Sequence, residues 1–172
     1  MTATCDGNPA DDDRNTQTDF TRASYSRAVE LTWQERDFDG LTVHQLYAIL
    51  ALRQRVFVVE QTCPYLDADG ADQASRHLWA ERAGEVVAYV RIVPAGLKFD
   101  ESSIGRVITA PETRGTGLGR ELMKRAIASC GNVPIRIGAQ AHLEKFYGEL
   151  GFVRASDLYD EDGIPHIEML RT

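Results

Sequence analysis

The residues best placed to do chemistry are Arg114-Gly115-Thr116-Gly117-Leu118-Gly119. They stand between Ser103–Thr109, a β-branched run that reads as a strand, and Arg120–Cys130, which reads as a helix. Leu118, Leu122 and Ala126, widened by Met123 and Ile127, give that helix one apolar face. Glycine admits positive φ and puts no side chain in a ligand's way. The first amides of a helix lack intrahelical partners and carry the positive end of its dipole. Strand, glycine turn and helix start together form a cradle for a phosphate or diphosphate. Arg120 in the first turn opposes the dipole, and Lys124 follows one turn later. That placement points to a nearby anion, unless both are solvated residues of a plain surface helix. The dinucleotide fingerprint fails because Arg120 stands where its third glycine belongs, and the P-loop fails for want of Gly-Lys-Ser/Thr.

Proton-handling groups are scattered. Glu60, His77, Glu112, His142 and His166 could each serve as a base, and so could a water chain. Cys63 and Cys130 are weak candidates for a nucleophile: neither has a histidine beside it, and Cys130 closes a helix as a packing residue would. Asp67-Ala68-Asp69-Gly70-Ala71-Asp72 invites a calcium reading. Counting from Asp67, however, the glycine and glutamate positions of an EF-hand loop fall on Asp72 and Leu78, so turn chemistry explains it better. The cysteines and histidines show no zinc spacing, and no metal is expected. Arg53 interrupts an apolar helical stripe and must snorkel or find a carboxylate, for which Glu60 is the expected partner.

These groups need a scaffold, and 172 residues suffice for one domain with a core. A formal charge of -7 argues against a nucleic-acid partner and favours a cationic or neutral small acceptor. No apolar run is long enough to span a membrane, and no signal-peptide core opens the chain. Three scattered cysteines read as reduced thiols, so the expected location is cytoplasmic. Residues 1–27 are polar and read as a disordered tail, leaving residues 28–172 as the domain. Along it, Ala28–Glu35 reads as a strand and Leu41–Val59 as a helix capped by Thr42. Arg76–Arg82 and Glu85–Val93 form a hairpin around Ala83-Gly84. Pro134–Gly138 is a strand and Ala141–Leu150 a helix stopped by Gly151. Phe152–Tyr159 and Ile164–Leu170 are strands joined at Asp162-Gly163. This order predicts a mixed sheet with helices packed on it, an α+β fold.

Two features converge on one family. Arg114, Gly117 and Gly119 spell Arg-x-x-Gly-x-Gly with Pro111-Glu112 upstream, and about thirty residues later Phe146-Tyr147-x-x-x-Gly151-Phe152 follows a short strand. The pair resembles the acyl-CoA-binding loop and closing motif of the GNAT acyltransferase superfamily. Val56–Tyr65, Gly138–His142 and Glu161–His166 are similar to its ElaA-like branch over roughly Glu30 to Leu170. Gln140 stands where the wider superfamily often has asparagine. The resemblance implies a splayed sheet of about seven strands flanked by helices. It also implies acetyl-CoA as co-substrate and a small primary amine as acceptor, attacking the thioester directly, with a homodimer left open. Val107, Ile108 and Thr109 would pair with the pantetheine. The diphosphate would lie on Arg114, Gly115, Thr116, Gly117, Leu118, Gly119 and Arg120, with Gln140 and Tyr147 also at the cofactor. Tyr147 would be the general acid beside the sulfur, with Glu60 or His166 as catalytic partners. A non-catalytic acyl-CoA sensor and an acyl transfer like that of the lactone-signal synthases are the competing readings.

Overall fold

The computed structural model describes residues 30–172; the expected tail lies outside the described residues. Strand β1 (Thr32–Asp37) leads to helix α1 (Val43–Arg53), which a π-helical segment, Gln54–Glu60, prolongs. After an irregular stretch come β2 (Arg76–Arg82), β3 (Glu85–Val93) and β4 (Ser102–Thr109). The glycine turn opens helix α2 (Leu118–Cys130), followed by β5 (Ile135–Gln140) and the short helix α3 (Glu144–Gly148). Strands β6 (Val153–Arg154), β7 (Tyr159–Glu161) and β8 (Ile164–Arg171) close the chain. Among the described residues the sheet has eight strands in the order β1-β2-β3-β4-β5-β8-β6, with β7 also on β8. The predicted α+β fold is thus present, with one strand more than predicted. The single strand expected over Phe152–Tyr159 is two short ones, and the expected Ala141–Leu150 helix is a 3-10 turn, Ala141–Leu143, followed by α3.

Helix α1 starts where its sequence says it should. The Thr42 hydroxyl accepts from the Gln45 amide at 3.2 Å, and the Gln45 side chain accepts from the Thr42 amide at 3.0 Å. That capping box satisfies two donors that would otherwise be orphaned. Strand β3 is buried from Val87 to Val93 without alternation, so both of its faces are covered, and α1 and α2 both pack against it. Trp79, Tyr89, Leu122, Met123, Ile135 and Ile167 form the centre of the core.

The core also holds charge. Arg53 is fully buried and donates to Asp67 at 2.7 Å and to Asp72 at 2.8 Å. Arg91 donates to Asp69 at 2.6 Å and to Asp72 at 2.8 Å, and Arg106 to Asp67 at 2.6 Å. The expected Arg53–Glu60 pair is therefore wrong. Both Glu60 oxygens are instead held by Arg114, and the irregular 61–75 stretch brings carboxylates to the Arg53 guanidinium. The Asp67–Asp72 stretch is more than a turn: its three aspartates neutralise three arginines rising from α1, β3 and β4. His77 leaves the list of bases for the same reason. It is fully buried, its Nε2–H donates to the Asp72 carbonyl at 3.0 Å, and its Nδ1 accepts from the Tyr89 hydroxyl at 2.8 Å. Burial holds its pKa below the ordinary value and keeps it neutral.

Burial opposes ionisation of Asp72, but the guanidinium groups of Arg91 and Arg53 outweigh it and hold the carboxyl below the usual range. A depressed folded-state pKa gives stability that is complete above the unfolded value of about 3.9 and is lost as pH falls through the folded value. Breaking one side of a buried pair costs about 3–5 kcal/mol. Asp72→Ala is expected to lower stability by that order in urea unfolding at pH 7. It should also flatten the acid limb below about pH 4, and wild-type stability at pH 7 would refute the account of the cluster.

Candidate active site

Strands β4 and β5 run parallel but pair only at Ser102↔Ile135 and Ser103↔Arg136. Arg136 fastens the last pair by donating to Glu101 at 2.8 Å and to Glu168 at 2.9 Å. Beyond it the strands part. On its other edge β4 stays bonded to β3, with a register shift between Tyr89 and Arg91. Arg106 and Val107 there oppose the single residue Val90, and Arg106 takes φ 54, the mark of a bulge. The Ala110 amide donates to the Val87 carbonyl at 2.8 Å. By strand alternation the Ile108 amide also faces β3, and those of Val107 and Thr109 face the gap.

The gap is a cleft of about 960 Å³. One wall is the exposed edge of β4, the other is β5 with α3 and the β7–β8 hairpin, and the 61–71 stretch covers one end. Of the sequence-predicted residues, Glu60, Val107, Ile108, Thr109, Arg114 and Gly119 line it, as do Gln140, Tyr147 and His166. Gly115, Thr116, Gly117, Leu118 and Arg120 do not line the cleft itself. Gly117 has φ 86 and caps α2, and the amides of Gly115, Thr116 and Gly117 have no acceptor among the described residues. These free donors precede the start of a thirteen-residue helix. Gly119 differs: its φ is ordinary, and a Cβ there would meet only Thr109 Cγ2 at 3.8 Å. Arg120 pairs with Glu149 and lies over the Phe146 ring.

The proton-handling groups now separate. Both Glu60 oxygens accept from Arg114, at 2.6 and 2.8 Å. Those hydrogen bonds hold Glu60 below the usual carboxylate range and make it a poor base while Arg114 is its partner. Glu112 is likewise paired, with Arg55 at 2.9 Å. His142 lines the cleft on an exposed turn. His166 faces the cleft with Nδ1 at 2.8 Å from the Ile164 carbonyl. A carbonyl only accepts, so Nδ1 carries a proton, which in the neutral tautomer leaves the lone pair on Nε2. Tyr147 is 7% exposed, and its hydroxyl has no partner among the described residues. Burial pushes that phenol up to about 12. Gln140 donates to Gln61 at 3.3 Å across the cleft. Cys63 lines the cleft, and its thiol donates to the Asp162 carbonyl at 3.5 Å. Cys130 lies outside the cleft at the end of α2, its thiol pushed up by burial. Among the described residues no cluster of ligating side chains could hold a metal ion, and no helix is long and apolar enough to cross a membrane.

Sequence reasoning missed three features of the site. Arg106 lies under the cleft wall between the rings of Phe57 (5.8 Å) and Tyr65 (5.6 Å). Glu161 and Asp162 line the rim without an ion-pair partner among the described residues. The π-helical turn carrying Glu60 shows in no periodicity, although such turns recur at functional sites.

Comparison with known proteins agrees with this geometry. The model of the acetyltransferase (GNAT) domain family matches residues 53–172. ElaA of Escherichia coli is 44% identical over 147 residues, covering 82% of this chain and 96% of that protein. The crystal structure of that ElaA has a TM-score of 0.79. An acyl-CoA N-acyltransferase from Pseudomonas aeruginosa is 42% identical with a TM-score of 0.80, covering 83% of this chain and 100% of that one. A GNAT family acetyltransferase from Elizabethkingia anophelis, solved with acetyl-CoA bound, shares only the fold, at 14% identity and a TM-score of 0.55 over 82% of this chain and 97% of that one. The chain belongs to the GNAT acyltransferase family, in its ElaA-like branch.

Proposed function

We propose that this protein transfers an acetyl group from acetyl-CoA to a primary amine by direct attack of the amine on the thioester. The observation that carries the reading is the open edge of β4 ending beside unpaired amides at the start of α2. A pantetheine amide chain pairs with such an edge as an added strand, and a diphosphate suits the free amides. The relative solved with acetyl-CoA supports the choice of co-substrate through the shared fold.

The amine nitrogen attacks the thioester carbon, a C–N bond forms, and negative charge gathers on the carbonyl oxygen. A gap-facing amide of β4 stabilises that oxyanion. The attacking nitrogen gives its proton to His166 Nε2, and the C–S bond then breaks. Tyr147 attends the departing sulfur. A phenol held near 12 does not surrender its proton to a thiolate of reference pKa about 8.5, so its part is a hydrogen bond that strengthens as charge reaches sulfur. The thiolate leaves as such and takes a proton from water.

Free-thiol release from acetyl-CoA across a panel of amines, with the product identified by its mass, tests the reading. Release that depends on an amine supports it, and CoA binding without turnover on any amine would favour a sensor. On an amine the panel identifies, Tyr147→Phe is expected to bind CoA normally and lose about 10²–10³-fold in kcat. His166→Gln is expected to lose about 10²–10⁴-fold, and wild-type rates in either variant would reduce that residue to packing. Gly117→Val forces a β-branched residue to φ 86. Calorimetry is expected to show CoA binding lost while the protein remains folded, and near-normal affinity would remove the cradle.

A further inference from the structure

Two elements are strapped together across the cofactor side of the cleft. The π-helical segment supplies Arg55 and Glu60, and the turn leading into the glycine loop supplies Glu112 and Arg114. Arg55 donates to both oxygens of Glu112 at 3.2 and 2.9 Å, and Arg114 to both oxygens of Glu60 at 2.6 and 2.8 Å. The two links have opposite polarity and different settings. Glu60 and Arg114 both line the cleft, whereas Arg55 and Glu112 do not. Both pairs are open to solvent, the cleft-side side chains 37% and 44% exposed and the outer ones 53% and 47%, but only the cleft-side pair lies within reach of a ligand in the cleft. An ion pair so exposed is weak and readily exchanged.

We propose that Glu60 changes partners during the reaction cycle, holding Arg114 in the empty enzyme and the ammonium of the incoming acceptor once acyl-CoA is bound. This rests on the acyl-transfer reading above and names the acceptor class, an amine that is cationic at neutral pH. Arg114 begins the loop whose free amides face the expected diphosphate, an acceptor with more charge than a single carboxylate. When the guanidinium turns to the diphosphate, Arg55 still ties the segment to Glu112, and Glu60 is left as an unpaired carboxylate on the cleft wall. No other carboxylate is freed by that step, since Asp69 stays bound to Arg91 and Arg106. Glu161 and Asp162 at the rim carry the same sign as Glu60, with Lys98 beside Glu161 offsetting one of them. An anion thus displaces a carboxylate, and the freed carboxylate recruits a cation. Acyl-CoA binds first and the amine second. Glu60 holds the ammonium on its way in; one proton then leaves to water to free the nitrogen lone pair, and the second passes to His166 as the C–N bond forms.

Calorimetry tests the exchange without turnover, using CoA and n-butylammonium chloride as probes. Glu60→Gln removes the competitor for Arg114 and is expected to bind CoA about two- to fivefold tighter than wild type, the span of one exposed pair. Wild type is expected to bind butylammonium more tightly with CoA present than without it. Glu60→Gln should lose that difference. Arg114→Met frees Glu60 permanently, so its butylammonium affinity should not depend on CoA. Equal or weaker CoA binding by Glu60→Gln overturns the proposal, as does wild-type butylammonium affinity that is indifferent to CoA. A wild type that binds no CoA at all removes the acyl-transfer reading itself, and the exchange with it.

Discussion

The parting of β4 and β5 after two residue pairs is the constraint from which the rest follows. Backbone amides and carbonyls left unpaired inside a fold cost free energy comparable to a lost hydrogen bond. This sheet leaves a row of them facing a cleft, and a bulge at Arg106 turns the strand so that the row stays open. A site built this way supplies its donors from backbone held by β3 on one side and by β8 on the other. Such donors need little reorganisation when a ligand arrives, which is the property oxyanion stabilisation requires.

Holding two strands apart requires walls that do not collapse. One wall is the irregular 61–75 stretch, which has no ladder of its own and is anchored by the Arg53, Arg91 and Arg106 cluster. The charges balance, and nearly every polar atom is satisfied; Nε of Arg91 is the one buried side-chain nitrogen without a partner among the described residues. Replacing such a cluster with apolar residues can be neutral for stability. Its value lies in geometry, because three forked guanidinium groups fix where the chain must run. Arg106 joins both tasks, sitting at the bulge that frees the edge and gripping the stretch that covers the cleft.

How legible this was in the sequence follows the range of each interaction. The glycine turn and α2 could be read directly, because glycine spacing and an apolar stripe are local signals. The β2–β3 hairpin was equally plain, with Ala83-Gly84 between two alternating runs. Arg53 could be seen to need a carboxylate, but its true partners lie fourteen and nineteen residues away in a stretch with no periodicity. The sequence offered Glu60, which is nearer along the chain but pairs with Arg114 in the fold. The run Ser103–Thr109 looks the same whether its neighbour stays or departs, so the split in the sheet was legible only through family resemblance. Tyr147 was singled out by that resemblance, and only the fold shows that its phenol is buried and has no partner among the described residues.

The central claim is that the open edge of β4 receives the acyl-CoA, and residue-resolved amide exchange measures it. Ile108 is an internal control, since its amide faces β3, whereas those of Val107 and Thr109 face the gap. With saturating acetyl-CoA, exchange at Val107 and Thr109 is predicted to slow markedly, while Ile108 changes little. Binding that leaves Val107 and Thr109 exchanging as in the free protein would contradict the account.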